Sequence, residues 1–287
     1  MLFVGSINVE ADLRRTRRTG AGLRRDRADP VYGPLLVAVP DGRGSRPIHT
    51  GVMALPTGGL IRIEVLWDTV DEVDHYPFSI PALRALDDVD LDRPVTFFVG
   101  ENGSGKSTLL EAIAVGAGLN PEGGTRNLRF SNRPTESVLH EHLKLVWRTR
   151  QRWAFFLRSE TFFDTATAYE GVGTDGFHTR SHGEQFIEAA MEKFQPGGFH
   201  LLDEPEAALS VMGQLKLMRR IFDVARDGGQ FIIATHSPIL LAFPDAHIYE
   251  FAARVRPVAY EDTEPYQMTK SFLDAPERYL NHLFADD

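Results

Sequence analysis

The sequence contains no cysteine, which excludes disulfide bonds, thiolate metal sites and cysteine nucleophiles. It has no apolar run near the roughly 18 residues that a membrane-spanning helix needs. The segment Met1–Glu10 also lacks a cationic region followed by a long apolar one, so a secretory signal is not expected. The formal charge of −9 does not suit a surface built to attract nucleic acid, although a local basic patch is compatible with it. These absences predict a cytoplasmic protein without membrane insertion.

The first 58 residues differ in composition from the rest of the chain. They are rich in Arg, Gly and Pro, and the stretch Asp12–Arg27 holds 7 arginines. One interpretation is a basic arm that binds nucleic acid or an anionic membrane surface. The interpretation we favour is a poorly ordered leader, because such a segment buries too little apolar area to offset the entropy of ordering. We therefore predict an N-terminal extension over residues 1–58 and a single folded domain over residues 59–287.

From Gly59 onward, apolar residues recur with strand and helix periods. Strands are expected at Leu60–Trp67, Pro94–Val99, Trp153–Leu157, Gly198–Leu202 and Gln230–Thr235, and helices at Ser107–Ala117, Gln185–Phe194, Val211–Arg226 and Ala275–Phe284. The last two strands are continuous apolar runs, as in buried parallel sheets. Strands that alternate with helices predict an α/β fold with a mainly parallel sheet.

The segment GENGSGKST matches the pattern G-x-x-x-x-G-K-[ST], the Walker A phosphate loop. Glycines in this pattern let backbone N–H groups curl around phosphate oxygens. Lys106 would place positive charge at the β- and γ-phosphates, and Ser107 would offer a hydroxyl to Mg²⁺. The alternative is a plain Gly-rich turn, but the apolar strand before it and the apolar-faced helix after it favour a phosphate site. The residues predicted to bind nucleotide here are Gly100, Glu101, Asn102, Gly103, Ser104, Gly105, Lys106, Ser107 and Thr108.

Two carboxylates, Asp203 and Glu204, end the buried run that begins at Phe199. In a phosphate-loop protein we expect this strand to lie beside the phosphate-loop strand and to bring Asp203 toward Mg²⁺. Glu204 would then polarise the attacking water as a general base. An isolated Asp-Glu pair could instead favour the dipole of a following helix. His200, within the strand, is expected to pack rather than to bind a ligand.

Two further motifs accompany the phosphate loop. Ser181 and Glu184 of the segment SHGEQ can form a capping box ahead of a helix. In the functional interpretation, Ser181 and the N–H of Gly183 bind the γ-phosphate of an ATP held by a second subunit. His236 follows a buried strand, at the sheet edge where ligands of open α/β sheets bind, and would donate a hydrogen bond to the γ-phosphate. A packed structural histidine is the alternative there.

Along the chain from Gly100 to Ser237, the phosphate loop, SHGEQ, the acidic pair and His236 follow one another. These motifs, in this order, resemble those of the ABC-type ATPases. The sequence more closely resembles small stand-alone bacterial ATPases of the ABC-like AAA group. The segments that carry this resemblance are VTFFVGENGSGKSTLLEAIAV, FFLRSETFF, SHGEQ, LLDEPEAALS and QFIIATHSPILLA. The resemblance implies a P-loop fold with a mainly parallel central sheet plus antiparallel strands. It further implies a homodimer that forms when ATP is bound and encloses two ATP molecules.

The resemblance also implies a role for each motif residue. It assigns catalysis to Lys106, Glu204 and His236, and Mg²⁺ binding to Ser107 and Asp203. It assigns to Ser181 and Gly183 the binding of the ATP held by the opposite subunit. Glu160, near Arg158, is the candidate for the Q-loop position and for a third metal-binding residue. Tyr76 or Phe78 is the candidate for stacking on adenine.

Two features depart from the family pattern, and several functions remain open. The signature reads SHGEQ rather than LSGGQ, and the segment Tyr169–Arg180 before it is short.

The leading hypothesis is an ATP-hydrolysing switch that acts on an unknown protein or nucleic-acid partner. The alternatives are the ATP-binding subunit of a transporter, a small-molecule kinase, and a nucleotide-gated scaffold in DNA repair or phage defence. A kinase would leave Glu204 and His236 without a role.

Overall fold

The structure is a computed structural model that describes residues 58–126, 137–159, 192–207 and 209–285. The strands are β1 (Gly59–Val65), β2 (Asp88–Asp90), β3 (Val95–Gly100), β4 (Gly124–Thr125), β5 (Leu143–Thr149), β6 (Ala154–Arg158), β7 (Phe199–Asp203), β8 (Gln230–Ala234), β9 (His247–Phe251) and β10 (Val255–Pro257). The α-helices are α1 (Pro81–Arg84), α2 (Lys106–Gly116), α3 (Val211–Arg226), α4 (Pro238–Leu241), α5 (Glu264–Asp274) and α6 (Pro276–Leu283). Short 3-10 turns lie at Trp67–Thr69, Val138–His142 and Tyr260–Asp262.

The larger sheet has 7 strands in the order β10-β9-β3-β8-β7-β6-β4. Its 5 central strands pair in parallel, whereas β10 and β4 are antiparallel to their neighbours. The α/β fold with a mainly parallel sheet plus antiparallel strands is therefore confirmed. One detail of the prediction is wrong: β7, which carries Asp203, does not lie beside the phosphate-loop strand β3. Strand β8 lies between them, where its fully buried apolar side chains are covered on both faces.

Helices cover both faces of this sheet. Successive strand residues point to opposite faces, so Phe98 packs in the core on the α2 side, with Leu110 and Ile113. Phe97 packs in the core on the α3 side, with Ile221. Helix α3 has the bounds expected from its pattern, because Ser210 caps its start by accepting a hydrogen bond from the Gly213 N–H.

The smaller sheet is antiparallel, with the order β2-β1-β5. A buried glutamine, Gln230 of β8, connects it to the larger sheet. The Gln230 side-chain oxygen accepts from the Leu60 N–H at 2.8 Å, and its amide nitrogen donates to the carbonyls of Leu60 at 2.7 Å and Leu91 at 2.6 Å. These bonds fix the start of β1 against the centre of the parallel sheet.

The chain ends in two helices where one, Ala275–Phe284, was expected. Helix α6 corresponds to that prediction, and α5 precedes it. Neither helix has a buried residue, and α5 carries the large apolar side chains of Met268, Phe272 and Leu273 at exposed positions. No helix within the described ranges is long and apolar enough to span a membrane. Residues 1–57, and residues 185–191 of the expected Gln185–Phe194 helix, lie outside the described residues.

Candidate nucleotide site

The phosphate loop runs from the end of β3 into the start of α2, and two of its glycines differ in their surroundings. Gly100 has φ 149°, and a Cβ built there would lie 2.3 Å from the backbone oxygen of Phe251. Gly100 therefore permits the close approach of two backbones. Gly103 has φ 77°, and a Cβ there would meet nothing within 4 Å. The loop backbone at Gly103 thus faces open space that a phosphate group can reach.

Helix α2 begins at this loop without a side-chain cap. Its N-cap residue is Gly105, in a left-handed conformation, and no side chain accepts from the first turn. The N–H groups of an uncapped first turn are the donors that bind anions at helix N-termini. The backbone of Gly105–Ser107 therefore fits the phosphate group that the sequence predicts.

Lys106 is 3% exposed and folds back over the loop. Its Nζ donates to the Gly100 carbonyl at 2.7 Å and to the Glu101 carbonyl at 2.8 Å. Burial lowers the pKa of Lys106, and the nearby carboxylates Glu204 and Asp203 oppose that shift. A desolvated cation with acidic neighbours gains further stabilisation from a phosphate oxygen, which is the role predicted for this lysine.

Ser107 and Asp203 meet across the sheet edge. The Ser107 hydroxyl donates to Asp203 Oδ1 at 2.8 Å, and the Asp203 side chain is nearly buried. A hydroxyl and a carboxylate are hard oxygen ligands, the type that Mg²⁺ takes together with nucleotide phosphates and water. Two of the three residues predicted for the metal, Ser107 and Asp203, are thus brought together, and their donor set fits Mg²⁺.

Glu204 and His236 face each other at the ends of β7 and β8. Glu204 Oε1 lies 3.8 Å from His236 Nε2, and both side chains are partly exposed. Glu204 has φ 48°, a conformation that non-glycine residues seldom adopt. Its N–H donates to the Ala234 carbonyl at 2.9 Å, and its carbonyl accepts from the Ser159 hydroxyl at 2.6 Å. Backbone bonds on both sides therefore hold Glu204 in this strained position, the pattern of a functional residue.

Known proteins are similar to this chain in sequence. The family described as an AAA domain matches residues 79–143. The cytochrome c biogenesis ATP-binding export protein CcmA of Rhodopseudomonas palustris (strain BisB5) is 31% identical over 168 residues, covering 52% of this chain and 82% of that protein. The chain belongs to the ABC-type P-loop ATPases.

Another relative and one solved structure are also similar to this ABC-type ATPase. The hemin import ATP-binding protein HmuV of Jannaschia sp. (strain CCS1) is 28% identical over 210 residues, covering 63% of this chain and 76% of that protein. The SMC head domain from Thermotoga maritima is 17% identical with a TM-score of 0.37, and the match covers 60% of this chain and 92% of that one. At that TM-score the likeness adds nothing to the family assignment.

The other predicted site residues of this ABC-type ATPase divide into two groups. Glu160, Ser181 and Gly183 lie outside the described residues. Tyr76 and Phe78, the candidates for adenine, are both described. The Tyr76 hydroxyl lies 3.2 Å from the Thr108 hydroxyl, and its ring is exposed beside the phosphate loop. Phe78 is buried, with edge-on contacts to Trp67 and His142, so its assignment to adenine is wrong.

The structure adds neighbours of the site to which the sequence motifs assign no role. Glu206 accepts from the His236 backbone N–H at 2.6 Å, so it fixes the turn that carries the histidine. A cleft of about 510 Å³ opens beside the phosphate loop and His236, and α5 forms its opposite wall. The residues that line the cleft are Glu101, Asn102, His236, Glu264, Pro265, Met268 and Thr269. Glu206, two positions after Glu204, could be noticed in the sequence. The position of α5 beside the cleft could be known only from the folded structure.

His200 packs as expected. It is fully buried and stacks on Phe231 with ring centroids 4.6 Å apart. Its Nε2 accepts from the Gln195 N–H at 3.1 Å, and its Nδ1 lies 3.3 Å from the Gln230 carbonyl oxygen. Burial lowers the pKa of His200 to about 3. A neutral ring with the proton on Nδ1 satisfies both contacts, so this histidine has a structural role.

Proposed function

We propose that this ABC-type ATPase binds Mg-ATP and hydrolyses it to ADP and phosphate. The observation that supports this most directly is the meeting of two motifs at the sheet edge: Ser107 Oγ donates to Asp203 Oδ1 at 2.8 Å. A phosphate loop alone would support nucleotide binding. A carboxylate placed against the loop's serine adds a metal position, and Glu204 beside it adds a base.

Each side chain has a defined task in this proposal. Lys106 exchanges its two carbonyl partners for β- and γ-phosphate oxygens, and the N–H groups of the loop bind the remaining oxygens. Ser107 and Asp203 would hold Mg²⁺, which would neutralise charge on those phosphates. Glu204 accepts a proton from the attacking water, which it orients from its fixed backbone position. His236 orients the γ-phosphate by donating a hydrogen bond from Nε2.

We further propose that two copies of the chain enclose two ATP molecules. Glu204 and His236 are only partly covered, with side-chain exposures of 41% and 35%. In the proposed dimer, Ser181 and Gly183 of the second copy close this opening and exclude water that is not positioned by Glu204. Closure and reopening would act as a conformational switch on a partner in the cytoplasm.

The test uses Glu204→Gln, which keeps the shape of the side chain and removes the base. With Mg-ATP, this variant should bind ATP, release no phosphate and elute as a dimer in size-exclusion chromatography with light scattering. Lys106→Ala is the matched control and should stay monomeric, since it lacks the cation at the phosphates. A Glu204→Gln protein that remains monomeric at saturating ATP would contradict the enclosed-dimer proposal.

A second candidate is the ATP-binding subunit of a transporter. The two relatives favour it, because one is named a hemin import ATP-binding protein and the other an ATP-binding export protein. In that case the tagged chain should co-sediment with membranes in a salt-resistant manner and release a membrane protein on detergent extraction. Recovery only in the supernatant at every ATP concentration would exclude this candidate.

A further inference from the structure

Arg158 lies at the end of β6, in register with Asp203 of β7. Its guanidinium contacts three different parts of the site. Nη1 donates to Glu111 Oε2 of α2 at 2.8 Å and to the Pro121 carbonyl at 3.3 Å. Nε lies 3.7 Å from Asp203 Oδ2. One side chain thus links the phosphate-loop helix to the carboxylate that the site offers to a metal.

The contact to Asp203 has a geometric consequence. Asp203 Oδ1 accepts from Ser107, while Oδ2 faces the guanidinium. The hydrogen bond from Ser107 and the 3.7 Å ion pair with Arg158 together favour one orientation of the carboxylate. A ligand fixed in this way loses less entropy when it binds a cation.

The same contact has an electrostatic consequence. A guanidinium beside Asp203 repels a divalent cation at that carboxylate, and the repulsion is strong because Arg158 is mostly buried, at 19% exposure. Glu111 is also mostly buried, at 13% exposure, and pairs directly with the guanidinium. Pairing with Glu111 offsets the charge of Arg158, so the arginine can orient Asp203 with less repulsion of the metal.

We propose that Arg158 and Glu111 form a positioning pair for the metal site of this ATPase. Arg158 orients the Asp203 carboxylate toward Ser107, and Glu111 neutralises the arginine so that Mg²⁺ is not repelled. The proposal rests on the Mg-ATP site proposed above. It assigns neither residue to contact with the nucleotide.

The test measures how strongly Mg²⁺ aids nucleotide binding, without turnover. In the Glu204→Gln background, the dissociation constant of a fluorescent ATP analogue is measured with excess Mg²⁺ and again with EDTA. The ratio of the EDTA value to the Mg²⁺ value reports the coupling between metal and nucleotide. Glu111→Gln should lower this ratio by about 10-fold, the change that a partly screened unit charge near a divalent cation produces.

Two further variants separate electrostatics from structure. In the double variant Glu111→Gln with Arg158→Gln the repulsion is gone, so the ratio should return to within about threefold of the parent value. Glu64→Gln, which removes an acid from an ion pair with Lys144 in the smaller sheet, is the charge-matched control and should leave the ratio unchanged. Thermal melts of all variants show whether they are folded.

The outcomes are distinguishable. If Glu111→Gln is folded and its ratio equals that of the parent, the positioning proposal is wrong. A double variant that is no better than Glu111→Gln would also overturn it, since the lowered ratio would then not come from repulsion between Arg158 and the metal. If the parent protein itself binds no nucleotide, or binds it equally with Mg²⁺ and EDTA, the proposed function fails instead.

Discussion

His200 provides a prediction that depends on the buried core alone. Its Nε2 accepts a hydrogen bond from the Gln195 N–H, so protonation of Nε2 would bring two donors together in a site without solvent. The change to test is His200→Gln. Glutamine can present an acceptor oxygen near the same point and does not titrate in this pH range.

The size of the effect follows from the pKa. Burial lowers the pKa of His200 from 6.5 to about 3 in the folded protein. Above pH 6.5 both states are neutral and this group adds no pH dependence. Below it the unfolded chain binds a proton that the folded chain does not, so the free energy of unfolding falls by about 1.4 kcal/mol per pH unit. Between pH 6.5 and pH 4.5 the loss from this group is about 2 to 3 kcal/mol.

The assay is urea unfolding of the parent and His200→Gln proteins at several pH values between 7 and 4.5. The variant is expected to be less stable at pH 7, because it loses the stacking on Phe231. Its stability should then fall less steeply with acid, so that the gap between the two proteins narrows by about 2 kcal/mol at pH 4.5. Parallel curves for the two proteins would refute the account of His200 as a buried neutral histidine.

Two other predictions concern positions fixed by the fold. Gln230→Leu leaves the Leu60 N–H and the Leu60 and Leu91 carbonyls without their partner, and should lower the free energy of unfolding by about 4 kcal/mol in chemical denaturation. Gln267→Leu, at an exposed position, is the control. An equal loss of unfolding free energy in both variants would contradict the role of Gln230. Gly100→Ala places a Cβ 2.3 Å from the Phe251 oxygen and should cost about 3 kcal/mol of stability. Gly103→Ala, in open space at φ 77°, should cost about 1 kcal/mol, and equal melting temperatures for the two variants would argue against the close backbone approach.

The parts of the site that lie close in sequence could be predicted from it. The phosphate loop is one continuous segment, so its strand, glycines and helix were identifiable from residues 94–117. The placement of Asp203 and His236 at one edge followed from a general property of parallel sheets, whose ligands gather at the carboxyl ends of the strands. The structure accordingly brings Asp203 to Ser107 and His236 to Glu204.

The parts that depend on distant contacts could not be predicted. Strand order is one case, since β8 pairs with both β3 and β7 and its apolar pattern gives no hint of its neighbours. Phe78 is another, because an aromatic residue near a phosphate loop has the same sequence signal whether its ring faces a ligand or the core. The pair of Arg158 and Glu111 joins residues 47 positions apart, and neither residue belongs to a motif that would suggest the other.

The central claim is that a second copy of the chain completes the site, and cross-linking tests it most directly. Because the chain has no cysteine of its own, His182→Cys, beside Ser181, and Asn102→Cys each introduce one reactive position. The two variants, both carrying Glu204→Gln and tags of different mass, are mixed and treated with a short bis-maleimide. With Mg-ATP we predict a product that joins the two different chains, and none without nucleotide. An absence of that product at saturating Mg-ATP, or an equal yield without nucleotide, would contradict the claim.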